Sequence, residues 1–403
     1  MGAVRRGEDK AKKAGERHSL LSGPVALLTL ATFAIIVGFQ LLLSVVPLYA
    51  EATGGGPSGA GLATAAFMLS TVLTQVKMPK LLESFGYRKV LVAGVLFLGL
   101  PAFLYPLAGG VPGILAVTLA RGVGFGIVTV VFIALIVELA PPGRRGEAMG
   151  LFGVAMTLPS IFCNPLGLWL VDASGYATVF LLGGLSPLLG LFAVVRLRLD
   201  HVARPAGGGA GFLEGLKRGP LLRLVLIFAT VTSAGGVVVT FLPLALPAAG
   251  IFSPAAALLV FGITSTASRL WAGRFGDRRS PHLLLVPGLI ASACGVAILP
   301  EGGPATLAGA LLFGSGAGLL QNATLMLTMN RVAEDERSLG STLWNVSFDA
   351  GTGAGALFFG FLVGFTGIAS AFYLSGAVLL AAVALVDFDR RREKSIPRHP
   401  INP

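Results

Sequence analysis

Apolar residues run through this chain in twelve long stretches broken by short polar connections. They lie at about 24–49, 58–82, 89–108, 112–138, 148–171, 176–196, 221–247, 254–275, 283–300, 304–330, 339–365 and 370–388. A helix needs roughly 20 mainly apolar residues to cross about 30 Å of hydrocarbon. The pattern therefore predicts an all-α integral membrane protein with twelve transmembrane helices. Composition agrees, because with 54% hydrophobic and 12% charged residues a soluble core of this length lacks polar surface to cover it.

The 30 Lys and Arg residues then fix the orientation. Six lie before the first stretch (Arg5, Arg6, Lys10, Lys12, Lys13 and Arg17), and most others fall in every second connection. The alternate connections, near 51–58, 108–112, 172–176, 248–254, 300–304 and 365–370, contain none. Basic loops stay on the cytoplasmic side, so both termini are expected to be cytoplasmic in a multi-pass protein of the plasma (inner) membrane. The net charge of +11 is thus spread over loops that face the anionic lipid bilayer. It forms no single basic module, so nucleic acid is not an expected partner. Residues 1–20 carry no cleavage-site pattern, and the first stretch reads as a retained span. Cys163 and Cys294 both fall within spans and read as small packing residues.

The chain also resembles itself. Val46-Pro47-Leu48 matches Leu242-Pro243-Leu244 at an offset of 196, and Glu83 matches Asp277 at 194. Gly122-x-Gly124-x-Gly126 matches Gly314-x-Gly316-x-Gly318 at 192, as Arg145 matches Arg337. Ordered anchors with so little drift predict two pseudo-symmetric six-helix bundles of like orientation, related by an axis along the membrane normal. The expected divisions are a tail at 1–20, a bundle at 21–196, a linker at 197–219, a bundle at 220–388 and a tail at 389–403. Phe212-Leu213 and Leu216, with Lys217-Arg218, predict a short amphipathic helix in the linker.

Loop motifs within these halves resemble those of the major facilitator superfamily. Its motif after the second span reads Gly-x-Leu-Ala-Asp-Arg-x-Gly-Arg-Arg. The first copy here is Pro79-Lys80-Leu81-Leu82-Glu83-Ser84-Phe85-Gly86-Tyr87-Arg88, and the second is Gly273-Arg274-Phe275-Gly276-Asp277-Arg278-Arg279. Glu138-Leu139-Ala140-Pro141-Pro142-Gly143-Arg144-Arg145-Gly146-Glu147 and Trp344-Asn345-Val346-Ser347-Phe348-Asp349-Ala350-Gly351 are further family-like strings. Val46-Pro47-Leu48-Tyr49 leans towards the proton-coupled drug and metabolite efflux branch, while Asn164-Pro165-Leu166-Gly167 matches the antiporter Gly-Pro signature only in part. The resemblance implies the major facilitator fold and a solute carrier working by alternating access, not an enzyme, with no cofactor. Its arginine in the fourth span implies a role in proton coupling or substrate binding for Arg121.

Ionisable groups inside the bilayer cost about 2.5–3.5 kcal/mol each on insertion scales, so they mark function. Asp349 is the one acid placed deep in a span, 12 residues past Arg337 or roughly 18 Å along a helix. Burial favours the neutral form of a carboxylate and a nearby cation the ionised form. Two readings follow: Asp349 couples protons to transport, or it forms a permanent ion pair with Arg269. Arg121 offers paired donors to a carboxylate or phosphate, against the alternative of a guanidinium satisfied by backbone carbonyls. Lys77 reads as snorkelling to the surface. Glu83, Arg88, Asp277 and Arg278 read as an inner gate in which acids meet helix N-termini. Gln40, Thr74, Gln75, Asn164, Thr264, Ser268, Gln321, Thr324 and Asn345 are the polar candidates for a cavity wall.

Other classes fit poorly. All four His residues (His18, His201, His282, His399) lie outside the spans, so no His-based metal site forms there, and no Gly-x-x-x-x-Gly-Lys-[Ser/Thr] loop is present. With 26 Phe against three Trp, the cavity suits an apolar or amphipathic solute better than a sugar. The sequence reading is a monomeric secondary transporter exporting a small amphipathic or organic-anion solute against protons. Proton-driven import of an organic anion, or a lipid or lysolipid flippase on the same fold, are its alternatives.

Overall fold

The structure is a computed structural model that describes residues 23–394, apart from 142, 143, 198, 200–211, 249, 334 and 335. Of residues 145, 146, 213, 338, 393 and 394 it describes the backbone alone. The expected tail at 1–20, the end of the C-terminal tail and most of the linker lie outside the described residues.

Among the described residues every element is helical. The first crossing is α1 (Pro24–Leu43) continued by α2 (Val45–Ala50), and α3 (Gly56–Gly99) makes the second and third. A 3-10 segment at Leu100–Leu107 leads to α4 (Val111–Leu139), α5 (Arg145–Ser174) and α6 (Tyr176–Arg196). The short α7 (Phe212–Lys217) precedes α8 (Gly219–Ala245), α9 (Pro254–Gly276), α10 (Leu285–Ile298), α11 (Gly303–Asn330), α12 (Arg337–Thr366) and α13 (Ile368–Lys394). The helices long and apolar enough to span a membrane number ten among the described residues, the first being a continuous run from Pro24 to Leu107. That run breaks at Gly54 (φ 96°) and at Gly86 (φ 74°, ψ 165°), so it contains three crossings and the total is twelve. Only glycine adopts such positive φ without steric cost, which is why the turns fall there. Proline in the first turn opens α1, α3, α4, α8, α9 and α11, where its missing N–H has no partner to lose.

The internal repeat reappears as packing. Gly122 and Gly126 of α4 press against Phe67, Ser70, Thr71 and Thr74 of the second crossing, while Gly124 presses against Gly94 and Leu98 of the third. In the second half Gly314 and Gly318 of α11 meet Phe261, Thr264, Ser265 and Ser268 of α9, and Gly316 meets Gly288 and Ser292 of α10. Each triplet thus inserts one helix between two neighbours at backbone contact, the geometry small residues permit in lipid. The pairings α1–α6 and α1–α5 recur likewise as α8–α13 and α8–α12. Two pseudo-symmetric six-helix bundles result, the major facilitator fold.

The bundles meet along α3–α12 and α5–α9. They are in close contact on the face opposite Pro24 and Lys394, here termed the far face. Ser58 Oγ donates to the Gly360 carbonyl at 3.1 Å, and the Thr64 and Thr240 hydroxyls lie 2.8 Å apart. A Cβ added at Gly61 would sit 3.0 Å from Gly360 Cα and against the Ala356 carbonyl. Gly61→Val is therefore expected to prise the far face open. Maleimide labelling of a cysteine placed at Ala63 should rise in that variant, and unchanged labelling would show that this seam is not what closes the face.

On the opposite, terminal face, α7 lays Phe212 and Leu216 on Leu221, Leu339 and Leu343, as the expected amphipathic helix would. Arg218 binds both carboxylate oxygens of Glu336 at 2.6 Å. These hydrogen bonds hold the Glu336 carboxyl below the usual range. Their contribution is complete above the ordinary Glu pKa and fades only as pH falls through the lowered folded value. Helix α13 continues to Lys394, past the expected boundary at 388. Cys163 is buried as a packing residue, whereas Cys294 is exposed on the flank of α10.

Candidate functional site

Arg121 lies ten residues into α4 and is only 2% exposed. Its Nε donates to the Leu98 carbonyl at 3.1 Å, and Nη1 reaches the Tyr105 hydroxyl at 3.4 Å. Tyr105 OH is itself 3.0 Å from Thr118 Oγ1, one turn before Arg121 on α4. The guanidinium carbon stands 5.8 Å from the Phe67 ring centre and 5.7 Å from that of Tyr105, within cation–π range. Nη2 has no hydrogen-bond partner. One backbone carbonyl thus holds Nε and leaves Nη2 at the far end of the fork without a hydrogen-bond partner. Arg121, Phe67, Tyr105 and Thr118 line a small pocket with Thr64, and its remaining walls are apolar and include Phe39, Leu42, Val46 and Met68.

Asp349 is buried on α12 at 5% exposure. It does not pair with Arg269. Its Oδ2 accepts from Gln75 Nε2 of α3 at 2.8 Å, a hydrogen bond between the two halves. Gln75 Nε2 also lies 3.4 Å from Thr129 Oγ1 of α4. Arg269 instead places its guanidinium 6.0 Å from the Trp344 ring centre. A neutral amide, not a cation, thus donates to Asp349. Asn345 and Gly353 do flank Asp349 by one turn each, Asn345 bonding the Ser341 carbonyl at 2.9 Å and Gly353 pressing on Met68.

A sequence-family model, described as the Major Facilitator Superfamily, matches residues 28–338 and 252–401. The chain belongs to the major facilitator superfamily. An uncharacterized transporter of this type from Methanocaldococcus jannaschii is 22% identical over 396 residues, covering 91% of this chain and 97% of that protein. YbcL of Bacillus subtilis, also an uncharacterized transporter of the type, is 25% identical over 283 residues, 66% of this chain and 69% of its own. Among solved structures, a bacterial homolog of the human lysosomal transporter Spinster superposes with a TM-score of 0.71 at 15% identity over 94% of this chain and 98% of its own. The nucleoside transporter NupG gives 0.73 at 12% identity, covering 93% and 100%. This facilitator is accordingly a membrane transporter and not an enzyme.

Several polar candidates in this facilitator spend their hydroxyl protons on their own helices. Thr74, Thr264 and Thr324 donate to the carbonyls of Ser70, Val260 and Leu320 on their own helices at 2.7–2.9 Å, and Ser268 does so to Ser265 at 3.1 Å. Thr74, Thr264 and Ser268 fill the glycine seams described above. Gln40 and Gln321 are half-buried, and Asn164, at 6% exposure, keeps Oδ1 without a partner. Lys77 is exposed. Glu83, Arg88, Asp277 and Arg278 are all exposed on the terminal face. Arg88 turns to the Val195 carbonyl of its own half at 3.4 Å, away from the seam between halves.

Sequence reasoning missed Tyr105, held between Pro101 and Pro106 in the tight 3-10 segment and fully buried. It also placed Asp389 in the tail. In the facilitator Asp389 is 0% exposed and bound by Arg223 at 2.5 Å and Arg331 at 2.6 Å, tying α8 and the end of α11 to α13. The dense charges after Phe388 read as a tail, whereas the helix continues to Lys394. Removing this carboxylate strands two largely buried guanidinium groups. Asp389→Ala is expected to cost about 3–5 kcal/mol, measurable as a lowered unfolding temperature in detergent. A melting point equal to the parent's would show the cluster to be ornamental.

Proposed function

We propose that this facilitator exports a small amphipathic organic anion in exchange for protons, Arg121 taking the anionic group and Asp349 carrying the proton. One observation carries the reading: a buried guanidinium with Nη2 unpaired in a pocket whose other polar groups are the hydroxyls of Tyr105, Thr118 and Thr64. An unsatisfied buried charged donor is costly and is retained where a ligand completes it. A single cation amid mostly apolar walls suits one anionic group on an apolar body.

In this reading residues 21–196 and 220–388 rock about the pocket within the plasma membrane, both termini cytoplasmic, as a monomer. Glu83, Asp277 and Arg278 act at the terminal-face gate, and Arg88 braces the first half against α6. Gln75 follows Asp349 as a reporter of its state, while Asn164 and Gln321 remain available to the solute path. Direction follows the gradients, so import of the same anion is the cycle run in reverse.

The test is counterflow in proteoliposomes with an imposed pH gradient. The panel pairs amphipathic carboxylates and phosphate monoesters with their neutral amides and alcohols. Exchange of anions but not of neutral partners supports the proposal. Exchange that prefers the neutral compounds rejects it.

A further inference from the structure

The two charged positions stand on matching ladders. Arg121, Phe125 and Thr129 follow one another at i, i+4 and i+8 on α4, as Phe67, Thr71 and Gln75 do on α3, so each set shares a helix face. Arg121 lies over the Phe67 ring at one end, and Gln75 bridges Thr129 and Asp349 at the other. Eight residues separate Arg121 from Thr129, about 12 Å along the axis.

Three rings fill that interval. Phe39 of α1 stacks on Phe125 with centroids 4.0 Å apart and an interplanar angle of 19°. Phe67 lies 5.5 Å from each of them. All three are at least nine-tenths buried, and Phe39 and Phe67 form part of the wall of the Arg121 pocket. The sides of the layer are sealed as well. A Cβ at Gly126 would lie 2.6 Å from the Thr71 carbonyl, and one at Gly353 would lie 2.8 Å from Met68 Cβ. Thr71, the polar residue between Phe67 and Gln75, donates its hydroxyl proton to the carbonyls of Phe67 and Gly122 at 2.8 and 3.0 Å. It offers no free link between the two sites.

We propose that the Phe39–Phe67–Phe125 stack is a septum that keeps the Arg121 pocket and the Asp349 carboxylate from exchanging protons directly, so these three residues determine coupling. The proposal rests on the reading that Asp349 carries protons. A proton crosses a protein along connected donors and acceptors, and a layer of apolar rings interrupts such a chain by excluding water. The stack also links the sites mechanically. An anion bound at Arg121 Nη2 offsets the charge that attracts the Phe67 ring, and Phe67 is packed on both of the other rings. Solute binding then loosens the layer that shields Asp349, whereas an empty pocket leaves it shut. Without such a barrier an antiporter would dissipate the gradient that drives it.

The experiment needs no solute. Purified protein is reconstituted in liposomes containing a trapped pH-sensitive dye, with a potassium gradient and valinomycin setting the membrane potential, and proton entry is followed. Phe39→Ala and Phe125→Ala, made separately on different helices, are each expected to raise the proton leak several-fold over the parent. Combining either with Asp349→Asn should return it to the parental rate. Either variant that purifies as a single monodisperse species is sufficient. Parental leak in the alanine variants overturns the septum, as does a raised leak that survives Asp349→Asn, because the protons would then bypass the carboxylate. Failure to find a transported anion does not affect this assay. Anion exchange indifferent to pH in the parent would instead sink the coupling reading, and that is read in the counterflow experiment.

Discussion

Arg121→Gln is expected to weaken anion exchange by roughly 10- to 100-fold, the equivalent of about 1.5–3 kcal/mol for hydrogen bonds to a charged group. The glutamine can still donate to Tyr105 or to the Leu98 carbonyl, so the local architecture has a replacement partner. What it loses is the charge and the free Nη2, the two features that single this position out. Arg121→Lys should be intermediate, because it restores the charge as a point and not as a planar fork. The measurement is the concentration dependence of counterflow for an anion and its neutral isostere. If the variant loses both equally, Arg121 supports the fold of the pocket and does not read the anion.

Asp349→Asn should abolish the effect of a pH gradient while leaving solute counterflow intact. Asparagine keeps an oxygen that can accept from Gln75, so the bond between the halves survives in shape. It cannot take up a proton. One proton moved down one pH unit releases 1.36 kcal/mol; exchange of one monoanion for one proton moves two charges, so with the membrane potential clamped at zero this sustains about a tenfold solute ratio. The parent is therefore expected to approach tenfold accumulation per pH unit, and the variant none. Retained pH-driven accumulation in Asp349→Asn would remove the carboxylate from the mechanism. Arg269→Ala provides a contrast: with Arg269 over Trp344 and not on Asp349, coupling should persist in that variant.

Much of this was legible before any coordinates. The spans and the doubling of the chain follow from the length of each apolar run and the offset between the Gly-x-Gly-x-Gly triplets. These are local properties, or properties of two segments compared directly. Arg121 and Asp349 stood out for a similar reason, since a charge within an apolar run is conspicuous whatever surrounds it.

Partnerships were not legible. The sequence offered Arg269 for Asp349 because both are ionisable, while the fold supplied Gln75 from a helix 274 positions away. Threonines and serines that looked like cavity lining proved to bond their own helices, a choice set by rotamer and helix face. Phe39, Phe67 and Phe125 were three among 26 phenylalanines until α1, α3 and α4 brought them to one level. Asp389 read as a tail charge until Arg223 and Arg331 closed around it. Transfer into lipid depends on composition along the chain, so the sequence alone determined that this protein crosses the membrane twelve times and where each crossing turns. Pairing depends on which faces of distant helices meet, and only the tertiary structure decided that.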